Sequence, residues 1–188
     1  MRWGAQNAHP EVAMAHHASR RALILVDTDY EDLELQYPKY RLIEAGMAVT
    51  VAGPAAGARY IGKNGYPQTA DIELGEADPE RHEVLVIPGG WAPDKLRRSE
   101  TVKALTARMS EAGKVVASIC HGPWINISAG VVAGRTYTSS PALIDDLRNA
   151  GAQWVDQEVA VDGTHISSRR PDDLPAFCAA VLRVVETL

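Results

Sequence analysis

The 188-residue sequence has little cysteine and few aromatic residues: two cysteines, one phenylalanine, and 6% Phe, Tyr and Trp together. Two cysteines far apart provide no disulfide framework, which favours a reducing compartment and predicts a cytoplasmic protein. No apolar run approaches the roughly 18 residues that a membrane span requires. The net charge of −5 argues against a basic surface for nucleic acid. We therefore expect neither a membrane nor a nucleic acid as partner.

The first 20 residues differ in character from the rest of the chain. They contain no apolar stretch, so they lack the core of a secretory signal. We expect residues 1–20 to form a flexible extension and residues 21–188 to form a single domain, which is long enough to bury a hydrophobic core. No spacing of Cys and His resembles a zinc site, and no dinucleotide-binding glycine pattern is present, so no metal or cofactor is expected.

From residue 21 onward, short apolar runs alternate with helical patterns. Buried strands of five or six residues separated by helices indicate an α/β fold with a mostly parallel sheet covered on both faces. Turns are predicted at Asn64-Gly65 and Asp162-Gly163, the second as a two-residue hairpin. The principal strands are predicted at 22–26, 48–52, 83–88 and 115–119, and the helices at 32–45, 99–112, 141–150 and 172–188.

The strand that ends at Ile119 is followed at once by Cys120, His121 and then Gly-Pro. Proline suits the first turn of a helix, so this order predicts a thiol on a sharp turn with a helix behind it. A helix N-terminus and a neighbouring imidazole both lower the pKa of a thiol. We interpret Cys120 as a nucleophile, against the alternative of a buried structural cysteine, which is common for this residue type. Cys178 is assigned to the core.

Three loops that follow predicted strands carry polar groups. They are the carboxylate-rich segment 27–32, the glycine-rich segment 89–94, and the Cys120-His121 turn. Ligands of open parallel sheets bind beyond the carboxyl ends of the strands. We therefore expect the three loops to converge on one site.

These segments resemble blocks of the ThiJ/PfpI superfamily, specifically its PfpI-type branch of intracellular cysteine peptidase-like proteins. The resemblance implies a flavodoxin-like α/β sandwich, no organic cofactor, and a homo-oligomer that is a dimer or a trimer of dimers. Members of the family have been assigned peptidase, glyoxalase and glycated-protein repair activities. The matching blocks are residues 30–35, 62–66, 87–94, 117–123, 161–163 and 167–169.

The resemblance also implies roles for individual residues. Cys120 would be the nucleophile and His121 its general base and acid, oriented by Asp94 from a neighbouring subunit. Glu31 would approach the sulfur as a protonated acid, since burial beside a thiolate raises the pKa of a carboxyl. The backbone N–H groups of Gly90 and His121 would form an oxyanion hole.

Position alone leaves a second interpretation of these carboxylates open. Glu31 is alternatively a solvated carboxylate at a helix N-terminus, where the helix dipole favours anions. We prefer that interpretation for Asp29, Asp32 and Glu34. Asp94 is alternatively a cap of a short helix, and it is one methylene shorter than the Glu usual in the family, which puts its reach to His121 in question.

Two positions depart from the family pattern close to the expected site. Trp124 replaces a usual glutamine, and Ser140 stands where close relatives often have a tyrosine. Together with Gly89 and Trp91, they are expected to line the substrate pocket. Alternatively, the tryptophans pack at a subunit interface, where aromatic residues are favoured.

The resulting hypothesis is a cofactor-free cysteine enzyme that acts on small reactive carbonyl compounds or early glycation adducts, a deglycase or glyoxalase type of stress protection. Three alternatives remain open at this point. They are an intracellular cysteine peptidase, a hydratase or hydrolase of a specialised small metabolite, and a redox-sensing stress protein whose Cys120 is oxidised without turnover.

Overall fold

The computed structural model describes residues 20–188, so the expected flexible extension lies, apart from Arg20, outside the described residues. The strands in this part are β1 (Arg21–Leu25), β2 (Ala48–Gly53), β3 (Arg59–Ile61), β4 (Pro67–Thr69), β5 (Ile72–Glu73), β6 (Val84–Ile87), β7 (Val115–Ile119), β8 (Thr136–Tyr137), β9 (Gln153–Trp154), β10 (Val159–Asp162) and β11 (His165–Ser168). The helices are α1 (Asp32–Glu44), α2 (Ala92–Leu96), α3 (Glu100–Glu111), α4 (Pro123–Ser128), α5 (Ile144–Asn149) and α6 (Leu174–Glu186).

Seven strands form one sheet in the order β10-β11-β7-β6-β1-β2-β5. All neighbours in this sheet pair in parallel except β10, which runs antiparallel to β11 at the edge. Helices α1 and α6 pack together, as do α3 and α4, and α6 and α3 both contact β7. The predicted flavodoxin-like α/β sandwich is confirmed.

The central strands are the apolar runs of the sequence. Every residue of β6 and β7 is buried, as expected for strands covered on both faces. Because β1, β6 and β7 are neighbours, the loops that follow them emerge side by side at one edge of the sheet. No helix in residues 20–188 is long and apolar enough to cross a membrane. The division of the chain into extension and single domain stays a prediction.

The local differences from the sequence prediction lie mostly in turns. Asp162 pairs with His165, so the hairpin loop consists of Gly163 and Thr164 and not of Asp162-Gly163. Gly163 has a φ of +60°, which glycine adopts without strain. The predicted helices 141–150 and 172–188 each begin with a 3₁₀ turn, Pro141–Leu143 and Pro171–Asp173.

Candidate active site

Cys120 occupies a sharp turn between β7 and α4. Its φ is +61°, a conformation that is uncommon for a residue with a Cβ and that is found preferentially at functional sites. The surrounding backbone holds it there: its N–H donates to the carbonyl of Ser168 at 3.0 Å, and its carbonyl accepts from the N–H of Ser140 at 3.0 Å. A Cβ on Gly122 would lie 2.4 Å from the carbonyl oxygen of Ile87, so the turn requires glycine there. This is the strained strand-turn-helix geometry that the sequence predicts.

His121 lies beside the sulfur. Its Nδ1 is 3.1 Å from the Sγ of Cys120, within hydrogen-bond distance for sulfur. The imidazole lies between two indoles, with ring centroids 5.7 Å from Trp91 and 5.1 Å from Trp124. Burial, and then the positive charge of Lys63, lower the pKa of His121 below 6.5. The ring is therefore neutral at neutral pH and is suited to accept the thiol proton.

The carboxyl group at the sulfur belongs to Glu34 and not to Glu31, which corrects the prediction. Glu34 is fully buried and interacts with Cys120 through a side-chain hydrogen bond. Its Oε2 accepts from the N–H of Gly89 at 2.8 Å, while its Oε1 is buried with no nitrogen or oxygen partner in residues 20–188. A Cβ on Gly89 would lie 2.6 Å from Glu34 Oε2 and 2.7 Å from the Cβ of Cys120, so the three groups meet at one point.

Glu31 and Asp32 hold the turn at residues 62–66. Glu31 is buried, forms an ion pair with Lys63, and accepts from the Asn64 side chain at 3.4 Å. Asp32 is also buried and accepts the backbone N–H groups of Asn64 at 2.9 Å and Tyr66 at 2.8 Å. The interpretation of Asp32 and Glu34 as solvated first-turn carboxylates is therefore wrong, because the start of α1 is covered by this turn.

Burial changes how the site holds its protons. It raises the pKa of Glu34 from 4.5 to about 8, and the negative charge of Glu31 adds to the rise. It also raises the pKa of the Cys120 thiol to about 12, with the charge of Glu34 as the next cause. Two adjacent buried acids resist ionising together. The structure therefore contradicts the lowered thiol pKa expected from the sequence, because burial raises the pKa of Cys120 and ionisation of Glu34 would raise it further.

Two backbone amides oppose the burial effect at the sulfur. The N–H groups of Gly90 and His121 both hydrogen-bond to Cys120 and lower the pKa of its thiol. Gly90 has a φ of +75°, and a Cβ there would lie 2.4 Å from the carbonyl oxygen of Asp29, so its amide direction depends on glycine. These are the two N–H groups to which the family resemblance gives the role of an oxyanion hole.

Asp94 is not brought to His121 within the described residues. It lies on the short helix α2, its side chain is 58% exposed, and its carboxylate faces Arg98 at 3.5 Å. The indole N–H of Trp124 donates to Asp146 at 2.7 Å, which fixes the indole beside His121. Trp91 is exposed at the mouth of the site. Of the predicted pocket residues, Gly89 and the two tryptophans thus lie at the sulfur or the imidazole, and Ser140 contacts the backbone of Cys120.

Residues 20–184 match the DJ-1/PfpI family. The chain belongs to this family. Among curated relatives, it is 47% identical over 165 residues to a protein named deglycase from Thermococcus kodakarensis, covering 88% of this chain and 99% of that protein. It is 38% identical over 169 residues to protein/nucleic acid deglycase 2 of Escherichia coli, covering 89% of this chain and 98% of that protein.

Solved structures of the DJ-1/PfpI family have the same fold. A two-domain protein from Anabaena variabilis, with DJ-1/ThiJ/PfpI-like and ferritin-like domains, gives a TM-score of 0.86 at 38% identity, covering 87% of this chain and 47% of that chain. DJ-1beta of Drosophila melanogaster gives a TM-score of 0.82 at 29% identity, covering 90% of each chain.

Two residues of this DJ-1/PfpI site were not singled out from the sequence. Glu34 lies three positions after Glu31, next to Leu35, and α1 buries Glu34, Leu35, Pro38 and Leu42 along one face. The spacing of Leu35 and Leu42 defined the buried face of α1, but position 31 lies on that face as well, so the spacing did not single out Glu34. Lys63 carried no such signal, because its position depends on a turn that folds over α1.

Proposed function

We propose that this DJ-1/PfpI protein is a cysteine-dependent deglycase that acts on reactive carbonyl compounds and on their early adducts with amines. The observation that carries the proposal is the cluster of Cys120, His121 and Glu34, together with the two backbone N–H groups that hydrogen-bond to Cys120. Nucleophile, neutral base and buried acid meet at one point, as carbonyl chemistry without a cofactor requires. The names of the relatives at 38–47% identity support this reaction class.

The first step forms a carbon–sulfur bond. The sulfur of Cys120 attacks the aldehyde carbon of a dicarbonyl compound while Nδ1 of His121 accepts the thiol proton. The oxyanion is held by the N–H groups of Gly90 and His121 and then takes that proton, which gives a hemithioacetal. With an amine adduct as substrate, the sulfur replaces the amine at the carbinol carbon, and the amine leaves with the thiol proton. Both routes give the same intermediate.

The second step is a proton rearrangement. His121 removes the carbon-bound hydrogen as a proton, and protonated Glu34 donates its proton to the neighbouring ketone oxygen. His121 then returns its proton to that second carbon while Glu34 recovers a proton from the first hydroxyl. The product is a thioester of an α-hydroxy acid, and both side chains are restored. Water, activated by His121, hydrolyses the thioester to the free acid and the Cys120 thiol.

The working form in this proposal is a cytoplasmic homo-oligomer. The exposed carboxylate of Asp94 would reach His121 of a second copy, where it would orient the imidazole, which within one protomer lies between two indoles with Nδ1 at the sulfur. The N-terminal extension has no assigned part in this reaction.

The test is release of amine and α-hydroxy acid from a defined adduct. Methylglyoxal is first reacted with N-acetyl-arginine or N-acetyl-lysine, excess dicarbonyl is removed, and the purified protein is added. We expect lactate and free amine to appear together with wild type and with Cys178→Ala, but not with Cys120→Ala. Cys178 is the matched control because it is buried in α6, away from the site.

Three further incubations separate the alternatives. Lactate from free methylglyoxal but no amine release from the adduct would indicate a glyoxalase. Cleavage of unfolded protein that depends on Cys120 would indicate a peptidase, and oxidation of Cys120 by peroxide without any turnover would indicate a sensor. A glycated guanine nucleotide is included because one relative is named a protein/nucleic acid deglycase.

A further inference from the structure

Trp91 places an exposed aromatic ring at the mouth of the site. Its backbone N–H donates to the carbonyl of Asp29 at 2.8 Å, which fixes the start of α2. Gly89, two residues earlier, packs so closely on Cys120 that a Cβ there would lie 2.7 Å from the Cβ of the cysteine. The backbone that carries Trp91 is therefore held against the Cys120 turn, yet 58% of Trp91 is exposed. A large ring held beside a nucleophile and open to solvent is placed to contact a substrate.

The Trp91 ring lies close to the place where the amine of an adduct would be. The imidazole of His121 has its Nδ1 3.1 Å from the Sγ of Cys120 and its centroid 5.7 Å from that of the Trp91 ring. One imidazole thus contacts both the sulfur and the indole. In the proposed reaction, the amine is bonded to the carbon that the sulfur attacks. The amine therefore lies next to the imidazole and within reach of the indole face.

The other two tryptophans of residues 20–188 show which group packs on an indole in this protein. The guanidinium of Arg97 lies 5.5 Å from the ring centroid of Trp124, and that of Arg148 lies 5.9 Å from the ring centroid of Trp154. The electron-rich face of an indole attracts cations, and a planar guanidinium also stacks on it. Within the same part of the chain, no arginine or lysine lies over the ring of Trp91. Trp91 thus presents to the site a face of the kind that arginine covers elsewhere in the molecule.

The cations of the segments around Trp91 already have partners of their own. Arg97 donates to the hydroxyl of Ser128 at 2.9 Å while it covers Trp124. The other three each pair with a carboxylate, and the pairs are Lys63 with Glu31, Lys95 with Asp29, and Arg98 with Asp94. A cation that stacks on Trp91 would therefore come from the substrate.

We propose that Trp91 is a specificity-determining residue that stacks on the guanidinium of arginine adducts, so that the site prefers arginine adducts to lysine adducts of the same dicarbonyl compound. The inference rests on the proposed function, because the preference concerns the amine that the proposed reaction releases. Trp91 contacts only this amine and has no part in the proton rearrangement, which follows after the amine has left.

The kinetic test compares the methylglyoxal adducts of N-acetyl-arginine and N-acetyl-lysine. The selectivity is the ratio of their kcat/KM values, measured for wild type and for Trp91→Leu, which keeps an apolar side chain and removes the ring. We expect this ratio to fall about threefold to fivefold, mainly through a higher KM for the arginine adduct, because the guanidinium is bound both before and during the attack. Trp91→Phe should retain part of the selectivity, and Tyr40→Leu, which removes an exposed aromatic residue of α1, should retain all of it. An unchanged ratio in Trp91→Leu would overturn the proposal.

A binding measurement decides the same question without turnover. Protein labelled with fluorotryptophan is titrated with methylguanidinium and with methylammonium, and the fluorine NMR signals of Trp91 and Trp154 are assigned by replacing each residue with Phe. We expect methylguanidinium to shift the Trp91 signal saturably, at several-fold lower concentration than methylammonium does, and to shift the Trp154 signal less, because Arg148 covers that ring.

Two outcomes of the titration would contradict the proposal. Equal shifts at both indoles would indicate unspecific binding. A Trp91 signal that responds to dilution of the protein but not to methylguanidinium would place the ring at a subunit contact. Because the titration does not depend on catalysis, a failure of the deglycase assay would refute the proposed function and leave the result for Trp91 interpretable.

Discussion

Replacing Glu34 by glutamine should inactivate the protein and at the same time stabilise it at alkaline pH. The Gln side-chain oxygen can still accept the N–H of Gly89, so the shape of the site is kept. What disappears is the acidic proton that the proposed rearrangement requires. We expect turnover to fall roughly 100-fold or more, the usual contribution of a general acid or base.

The stability change follows from the proton on Glu34. Its pKa rises from 4.5 to about 8 on folding, so the folded protein binds this proton more tightly than the unfolded chain does. The free energy of unfolding of wild type must then fall as the pH rises from the unfolded-state pKa of 4.5 to the folded-state pKa of about 8. At about 1.4 kcal/mol per pH unit, wild type loses roughly 3 to 5 kcal/mol of stability once the pH exceeds the folded-state pKa. Glu34→Gln does not carry this cost.

Urea denaturation at acidic and alkaline pH measures the difference. Near pH 5, wild type and Glu34→Gln should have similar free energies of unfolding, and near pH 9 the variant should be more stable by roughly 3 kcal/mol. Glu31→Gln is the comparison variant: it breaks the Lys63 ion pair and relieves only the smaller contribution of the Glu31 charge to the pKa of Glu34, so any gain at pH 9 should be much smaller than that of Glu34→Gln. If the gain of Glu34→Gln is the same at both pH values, or absent, the reasoning about the buried proton is refuted.

Three further predictions concern the same site. The kcat/KM for methylglyoxal should fall above about pH 8 as Glu34 ionises, and it should also fall at acidic pH, below 6.5, as His121 becomes protonated. A profile that is flat across pH 8 would contradict the role of Glu34. Gly90→Ala should lose most turnover and about 1 to 3 kcal/mol of stability, because its φ is +75°; unchanged kcat would remove its amide from the oxyanion hole. Mixing Cys120→Ala with Asp94→Ala should restore some activity through mixed oligomers, whereas full activity of assembled Asp94→Ala would exclude Asp94 from the mechanism.

The sheet was predictable because its central strands are recognisable in the sequence as short runs of small or apolar residues. Runs such as 84–87 and 115–119 consist of small or apolar residues, which suits burial on both faces, and the carboxyl ends of parallel strands share one edge. That reasoning was sufficient to bring Cys120, His121 and the glycine loop together. It depends on the identity and order of the strands and does not depend on side-chain direction.

The assignment of the carboxylates required the rotational phase of α1, which the sequence did not reveal clearly. Four acidic residues lie within 29–34, and a helix start shifted by one residue changes which of them points to the sulfur. Asp32 was interpreted as solvated, and that alternative stayed open for Glu31, because the segment that covers them, 62–66, is distant in sequence. Burial of a helix N-terminus by a remote turn is a tertiary effect that local pattern does not contain.

Glu31 and Glu34 lie three positions apart and have different neighbours. Glu31 has a lysine and an amide side chain within reach, so its charge is compensated locally. Glu34 has one backbone N–H, a sulfur and an unpartnered oxygen, so it retains a proton to about pH 8. A chain selected for stability alone would not bury an uncompensated carboxyl against a thiol. The unfavourable environment of Glu34 is therefore an independent physical argument that this point of the sheet edge is where the chemistry occurs.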